Sequence, residues 1–420
     1  MPLVAALILL ASVGAGIAGY LTVLHYALQQ GAFLEAPACV PGTFLDCHAV
    51  NLHHASMIAG KPLAAVGLLL YGLWIALAVV AWVGERQHRI ASLRLILASA
   101  VAALLVDAYL AWVMLARVHA VCVWCAATYG INVLVVVLSW WSLQRAGESP
   151  WRWGQACWLL MPWSRQARAT QPVVSTLLVA WSVTIALAAW SLTAMAEQFM
   201  ARGLEAFRTQ VRQYLRQEHP LEMETQQSPT IGATQPRVTV VEFSDFQCPA
   251  CQKSSTILRA LVLNYPKAVA LTFKHYPLDT ACNPQLERQV HPGACRLAAA
   301  LACAHAQGAF WDLHDRVFAA GPSYTPLQLE DDIQALGLDV PRWQQCVQDG
   351  TGLGMVQRDL AAAHQLDVTS TPTAFFNGYR FGGALPPAAV DIIMDELLRG
   401  QHAPRTPSRD PVSRMPSDER

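Results

Sequence analysis

Two Cys-x-x-Cys pairs stand in two different surroundings. Cys248-Pro249-Ala250-Cys251 closes the strand-like run from Val238 to Phe246, and Cys122-Val123-Trp124-Cys125 lies inside an apolar stretch. Cysteines at this spacing interconvert between dithiol and disulfide. The sulfur that opens a helix meets unpaired backbone N–H groups and the positive end of the dipole, which favours its thiolate. Cys248 is therefore expected to attack and Cys251, one turn on, to resolve the mixed disulfide. Pro249 suits the first helical position, where no N–H is needed. A zinc half-site or a structural disulfide is the bland alternative, but no second such pair stands at finger spacing in the polar half of the chain.

A water-side dithiol on one chain with a lipid-side dithiol suits electron transfer between protein thiols and a lipid-soluble carrier. Cys39 and Cys47, with Pro41 and Gly42 between them, form a third couple in a loop that can visit both; a permanent bridge bracing the loop is the alternative. Cys122 and Cys125 could instead be small packing groups. Cys282, Cys295, Cys303 and Cys346 lie away from any such motif and read as structural bridges in one of three connectivities, with a second shuttle at Cys282 and Cys295 as the competing reading. His48, His53 and His54 cluster without added carboxylate or Cys spacing, so no metal site is expected and His53 reads as polar lining. Asp107 sits within an apolar run, where a charge is costly and faces a partner or a cavity; a structural hydrogen bond between helices serves equally well.

These residues need elements to hold them. Five apolar runs reach the roughly 20 residues that span hydrocarbon: Leu3 to Leu24, Leu63 to Val83, Leu95 to Leu115, Val118 to Leu138 and Val173 to Met195. An odd number puts the polar C-terminal half across the membrane from Met1. Arg86, Arg89, Arg94, Arg145, Arg152, Arg165 and Arg168 mark the cytoplasmic loops, whereas the opposite short loops carry only Lys61 and Arg117. Cys39, Cys47, Cys122 and Cys125 then fall at the outer face and Cys157 at the inner one. The first run lacks a positive n-region and is read as a retained span.

Residues 197–217 follow as an amphipathic stalk and 218–236, rich in Pro, Thr and Gln, as a linker. Beyond them come a strand (237–246), a helix (249–264), a strand (268–275), a helical block, a hairpin of 373–376 and 379–381 around Asn377-Gly378, and a closing helix (387–398). The tail from Gln401 is expected to be disordered. The totals agree: 420 residues, 54% hydrophobic, 14% charged and zero net charge make a chain too apolar to be purely soluble and without the basic excess nucleic acid demands. Eleven cysteines in a chain with membrane spans point to an oxidising compartment.

The run Glu242-Phe243-Ser244-Asp245-Phe246-Gln247 before the dithiol, with Thr371-Pro372-Thr373-Ala374-Phe375-Phe376-Asn377-Gly378 late in the chain, resembles DsbA-like thioredoxin-fold oxidoreductases. That resemblance implies a cis Pro372 which, with Thr371, offers backbone groups to a substrate peptide, and favours pairing Cys282 with Cys295 and Cys303 with Cys346. Pro-Ala between the cysteines, in place of the Pro-His of the strongest oxidants, implies a milder oxidant. The stretch Tyr109-Leu110-Ala111-Trp112 through Cys122-Val123-Trp124-Cys125-Ala126-Ala127-Thr128-Tyr129-Gly130-Ile131-Asn132-Val133, with the eight-residue step from Cys39 to Cys47, resembles the vitamin K epoxide reductase family. One position departs: where that family often has Ser, six residues after the second loop cysteine, this chain has His53.

Together the resemblances imply a membrane α-helical protein, a four-helix bundle plus a fifth transmembrane helix, followed by a soluble α/β thioredoxin-like domain with a helical insertion. The implied boundaries are 1–143, 144–196, 197–236, 237–400 and 401–420. Cys125 would contact a quinone, ubiquinone or menaquinone, near Tyr129, Asn132, His53 and Asp107. Cys122 would exchange with Cys47, and Cys39 would meet the thioredoxin-like domain. The implied activity is quinone-dependent disulfide formation in secreted or periplasmic proteins at the bacterial inner membrane. The rivals are import of reducing power, vitamin K epoxide reduction with thiol donors, and a membrane-anchored chaperone or isomerase.

Overall fold

The computed structural model describes residues 2–32, 39, 44–58, 60–150, 194, 204–321 and 324–399. The fifth apolar run (save residue 194), Pro41, Gly42, Cys157, Arg152, Arg165, Arg168, the start of the stalk and the tail from Gln401 lie outside these residues.

The N-terminal part has four helices long and apolar enough to cross a membrane. They are α1 (Pro2–Gln29) and, beyond the short α2 (Cys47–Leu52) and the strands β1 (Met57–Ile58) and β2 (Lys61–Pro62), α3 (Leu63–Val83), α4 (Arg86–Val113) and α5 (Val123–Arg145). Large apolar side chains such as Leu9, Leu105 and Val137 point outward, while Ala11, Ala18, Ala78, Ala81 and Ala100 are buried between helices. Lipid offers no hydrophobic incentive for helices to associate, so small residues that let backbones approach take the interior. Gly14 is such a position: a Cβ there would strike the ring of Tyr71 on α3.

The fourth span starts later than hydropathy suggests. Val118 closes a π-helical turn (Met114–Val118) that extends α4, and His119, in the left-handed region at φ 55°, ends it. A four-residue reversal with His119 as its one polar side chain is too short to interrupt the apolar run, so a hydropathy window passes through it.

At one end of the bundle Arg94 Nη2 meets Glu148 Oε2 at 2.9 Å and Arg86 donates to the Ala146 carbonyl, gathering the arginine-rich loops. At the other end sit α2 and the second domain. That domain holds β3 (Thr230–Gly232), β4 (Val238–Ser244), β5 (Val269–His275), β6 (Thr373–Phe376) and β7 (Tyr379–Gly382) in one sheet of order β3-β5-β4-β6-β7, with β4 and β5 parallel and the other pairs antiparallel. Helix α6 (Pro249–Asn264) crosses between the parallel pair. Five helices follow β5, then the hairpin β6 (Thr373–Phe376) and β7 (Tyr379–Gly382) and the closing helix Pro387–Leu398.

Strand β3 (Thr230–Gly232) falls in the stretch expected to be linker; it pairs with β5, and Gly232 lies so close to the Val269 carbonyl that no side chain fits there. Three residues with one apolar side chain carry no readable alternation. Residues 204–217 are helical, and Arg212 Nε binds the fully buried Glu396 at 2.8 Å, fixing the stalk to the closing helix.

Replacing Gly14 with Val is expected to cost about 1–3 kcal/mol of overpacking and to lower the unfolding temperature in detergent. Gly16→Ala, where a methyl meets nothing within 4 Å, is expected to leave it unchanged or slightly raised.

Candidate active site

The water-side pair sits where strand β4 turns into α6. Cys248 is the N-cap of that helix, with Pro249 at its first position, and Cys251 lies fully buried one turn inside. The turn is tied to the pair: Asp245 N–H donates to Cys251 Sγ at 3.4 Å, and Cys248 N–H donates to the Asp245 carbonyl at 3.1 Å. Across from it the Thr371–Pro372 bond is cis, and the Cys248 thiol lies 3.8 Å from the Thr371 carbonyl. The hydrogen bond with Cys251, the N–H groups of Cys251 and Ala250, and Thr371 together draw the Cys248 thiol down to about 5 against its desolvation. Burial, the bond to Cys248 and the Cys248 charge push Cys251 well above the ordinary thiol range. One cysteine is thus a thiolate at neutral pH and the other a thiol.

Glu242 opens the run before the dithiol, where motif reading assigns it no role. It sits on β4, 2% exposed, with Oε1 lacking any hydrogen-bond partner. Burial raises its carboxyl to about 7, opposed by a hydrogen bond with Ser254 and assisted by the Cys248 charge. Its own charge acts on Cys251. The signal in the sequence is an acid inside the apolar strand Val-Thr-Val-Val-Glu-Phe. Such a group, near neutrality and close to a buried thiol, suits proton exchange with that thiol.

Cys39 and Cys47 form a disulfide, and the Asp46 carboxylate caps α2 by accepting from His48 and Ala49 N–H, both at 2.9 Å. Cys122 caps α5, and Cys125 N–H donates to its sulfur at 3.3 Å; both thiols are free. The loop disulfide and Cys122 belong to one buried cluster with Leu24, Leu28 and Met114. A hydrogen bond from Val121 N–H to the Phe44 carbonyl, 2.7 Å, ties the loop to the turn before Cys122.

Cys125 opens into a cavity of about 330 Å³ between the helices, whose lining includes Tyr129, Asn132, Asp107 and His53. Its polar groups are linked: Asn132 Nδ2 donates to Asp107 Oδ2 at 2.7 Å, and the Tyr71 hydroxyl donates to Asn132 Oδ1 at 2.8 Å. Tyr71, absent from the sequence-derived set, also lines the cavity; a lone Tyr in an apolar span is no signal by itself. His53 Nδ1 accepts from Ala55 N–H at 3.1 Å. Among the described residues, no group of three or more His, Cys, Asp or Glu could hold a metal ion.

The second domain meets the bundle at the end that carries these cysteines. Asn264, at the far end of α6 from Cys248, donates to the Leu52 carbonyl at 2.9 Å and accepts from His54 N–H at 3.0 Å, and Tyr265 packs its ring against His54. Cys248 and Cys251 fall in a different buried cluster, with Phe246, Phe310 and Phe318 from the turn and the helical insertion. Cys282 is bonded to Cys295 and Cys303 to Cys346, both pairs in that insertion.

Residues 5–140 match the vitamin K epoxide reductase family and residues 224–396 match a thioredoxin family. The chain joins a vitamin K epoxide reductase family domain to a thioredoxin-like domain. Solved structures similar to part of it include oxidised BdbD of Bacillus subtilis, 20% identical with a TM-score of 0.37 over 43% of this chain and 98% of that one. The thiol-disulfide exchange protein α-DsbA2 of Wolbachia pipientis is 16% identical with a TM-score of 0.36 over 47% and 96%. Among curated proteins, the Na(+)/H(+) antiporter NhaA 3 of Salinispora tropica is 34% identical over 40% of this chain and 25% of its own, and NhaA 1 of Salinispora arenicola 30% over 44% and 26%. The chain spans about a quarter of the length of these curated relatives. The two matches fall on the helical bundle and on the domain that carries Cys248 and Cys251.

Glu242→Gln is expected to leave Cys248 alkylation in place while slowing resolution of a Cys248 mixed disulfide roughly 10- to 100-fold, with loss of the rate inflection near pH 7, as followed by quenched-flow trapping. The carboxyl titrates near 7 folded against 4.5 unfolded, so its ionisation destabilises the fold as pH rises through that window. Denaturant unfolding should find the Gln variant more stable than wild type at pH 8 and close to it at pH 4.

Proposed function

We propose that the protein is a thiol:quinone oxidoreductase that generates disulfides in secreted or periplasmic proteins, held in the bacterial cytoplasmic membrane with its thioredoxin-like domain outside. The observation that carries this reading is the placement of Cys125: it faces a cavity with Tyr129, Asn132, Asp107 and His53 while its partner Cys122 is buried beside the Cys39–Cys47 disulfide.

In this reading a substrate thiolate attacks Cys248 Sγ, breaking the Cys248–Cys251 bond; a second substrate thiolate then displaces Cys248, leaving the substrate oxidised and the pair reduced by two electrons. Thr371 and Pro372 border the attacked sulfur. Glu242 supplies the proton that Cys251 gains and removes it again when the pair is re-oxidised. The reduced pair exchanges with Cys39–Cys47, which exchanges in turn with Cys122–Cys125. Because the domain is docked through Asn264 and His54 with the dithiol in a separate cluster, the first of these exchanges calls for movement of the thioredoxin-like domain.

The cavity suits a quinone. Its volume lies within the range of small-molecule pockets, its wall is mostly apolar, and its polar groups converge beside one thiol. A bound quinone supplies the two-electron acceptor. Cys125, Tyr129, Asn132, Asp107 and His53 would hold it, with the Tyr71–Asn132–Asp107 hydrogen bonds fixing the orientation of the Asn132 amide. The thiolate of Cys248 favours the oxidising direction, since stabilising the reduced form makes a disulfide a stronger oxidant.

Cys125→Ala is expected to abolish quinone-dependent, catalytic oxidation of a reduced peptide while sparing one stoichiometric turnover by Cys248–Cys251. Cys251→Ser should accumulate a Cys39–Cys248 mixed disulfide visible by peptide mass spectrometry, formed when the Cys248 thiolate attacks Cys39 of the Cys39–Cys47 disulfide and releases the Cys47 thiolate, with no Cys251 to resolve it. Undiminished multiple turnover in Cys125→Ala would remove the membrane pair from the path.

A further inference from the structure

The loop between β5 and the helix Ala294–His305 is closed on itself by the Cys282–Cys295 disulfide. Asp279 organises it from within: one carboxylate oxygen accepts from Ala281 N–H and the Gln289 amide, the other from Gly293 and Cys295 N–H. Val290 and His291 N–H both reach the Leu278 carbonyl. These contacts bring His291 to the dithiol turn, where its Nδ1 lies 2.9 Å from Asp245 Oδ2. Asp245 is the residue whose backbone binds both Cys248 and Cys251; its side chain is fully buried and also accepts from Gln247 and Leu278 N–H, each at 2.7 Å.

We propose that His291 is a positioning residue of the water-side dithiol: carried in by the stapled loop and clamped by Asp245, its imidazolium stabilises the Cys248 thiolate and makes the Cys248–Cys251 disulfide a stronger oxidant than its Pro-Ala motif implies. The cation that is missing between the two cysteines comes from a loop some forty residues downstream. The groups acting on the ring are the Asp245 carboxylate and the Cys248 thiolate, and both raise its affinity for a proton. Asp279, an acid of the same loop, spends its oxygens on loop donors. The ring is 20% exposed, enough to exchange protons with water. The balance is simple: reduction of the disulfide takes two electrons and two protons, one held as the Cys251 thiol and the other as the His291 imidazolium beside the Cys248 thiolate.

The inference rests on Cys248–Cys251 being the exchanging couple and is independent of the direction of the relay. The test uses the full chain in detergent, following iodoacetamide alkylation of reduced Cys248 against pH and the redox state of the Cys248 and Cys251 peptides in glutathione buffers, both by mass spectrometry. His291→Gln keeps an N–H for Asp245 and removes the charge. It is expected to move the alkylation midpoint up by about one pH unit and the glutathione equilibrium about tenfold toward the disulfide, with His291→Lys restoring most of both. A Gln variant that behaves as wild type, or a Lys variant shifted as far as Gln, overturns the proposal by leaving His291 a loop anchor. A wild-type Cys248 that alkylates only in the ordinary thiol range would overturn both this and the assignment of the water-side couple.

Discussion

The constraint on which the site depends is that a helix begins with backbone N–H groups it cannot use. Both free dithiols exploit it in the same way. Cys248 caps α6 and Cys122 caps α5, so each first sulfur sits at the free N–H groups of a helix start, Cys122 accepting from Cys125 N–H, while the second sulfur is set one turn inside the helix. The spacing of two intervening residues is what a helical turn requires for one cysteine to cap and the other to follow on the same face. For the water-side pair this sets a thiolate at the cap and a thiol within.

The two pairs differ in what surrounds that shared device. Around Cys248 and Cys251 the protein places ionisable side chains: the buried Glu242 on β4, and Asp245 with His291 2.9 Å from its carboxylate. Around Cys125 the surroundings are hydrocarbon and helix, where an unpaired polar group is costly. The bundle accordingly connects its polar side chains in one chain from Tyr71 through Asn132 to Asp107, along the wall of the cavity that Cys125 faces. Gly14 makes this possible from the opposite helix by leaving room for the Tyr71 ring.

Much of this layout was legible in the chain because it follows from local rules. Lengths of apolar run gave four of the spans, and the Pro after Cys248 and the Asn377-Gly378 turn marked the start of α6 and the β6–β7 hairpin with little error. The places that escaped have physical reasons. The turn at His119–Cys122 is short and holds one polar side chain, and its reversal depends on that one left-handed residue. Strand β3 is held by the edge of β5 and by Gly232, not by its own alternation. His291 is anonymous in sequence because its neighbours in space, Asp245 and Cys248, are more than forty residues away along the chain.

By itself the sequence determined that there are two dithiols in two solvents, which of them starts a helix in water, and that the apolar half crosses a membrane, since spacing, capping and hydropathy act over a few residues. Tertiary structure alone decided which side chains stand beside those sulfurs. Glu242, Tyr71 and His291 reach the sites through the sheet, through close helix packing and through a stapled loop, and a proton or a charge acts across a few ångströms of space whatever the distance along the chain.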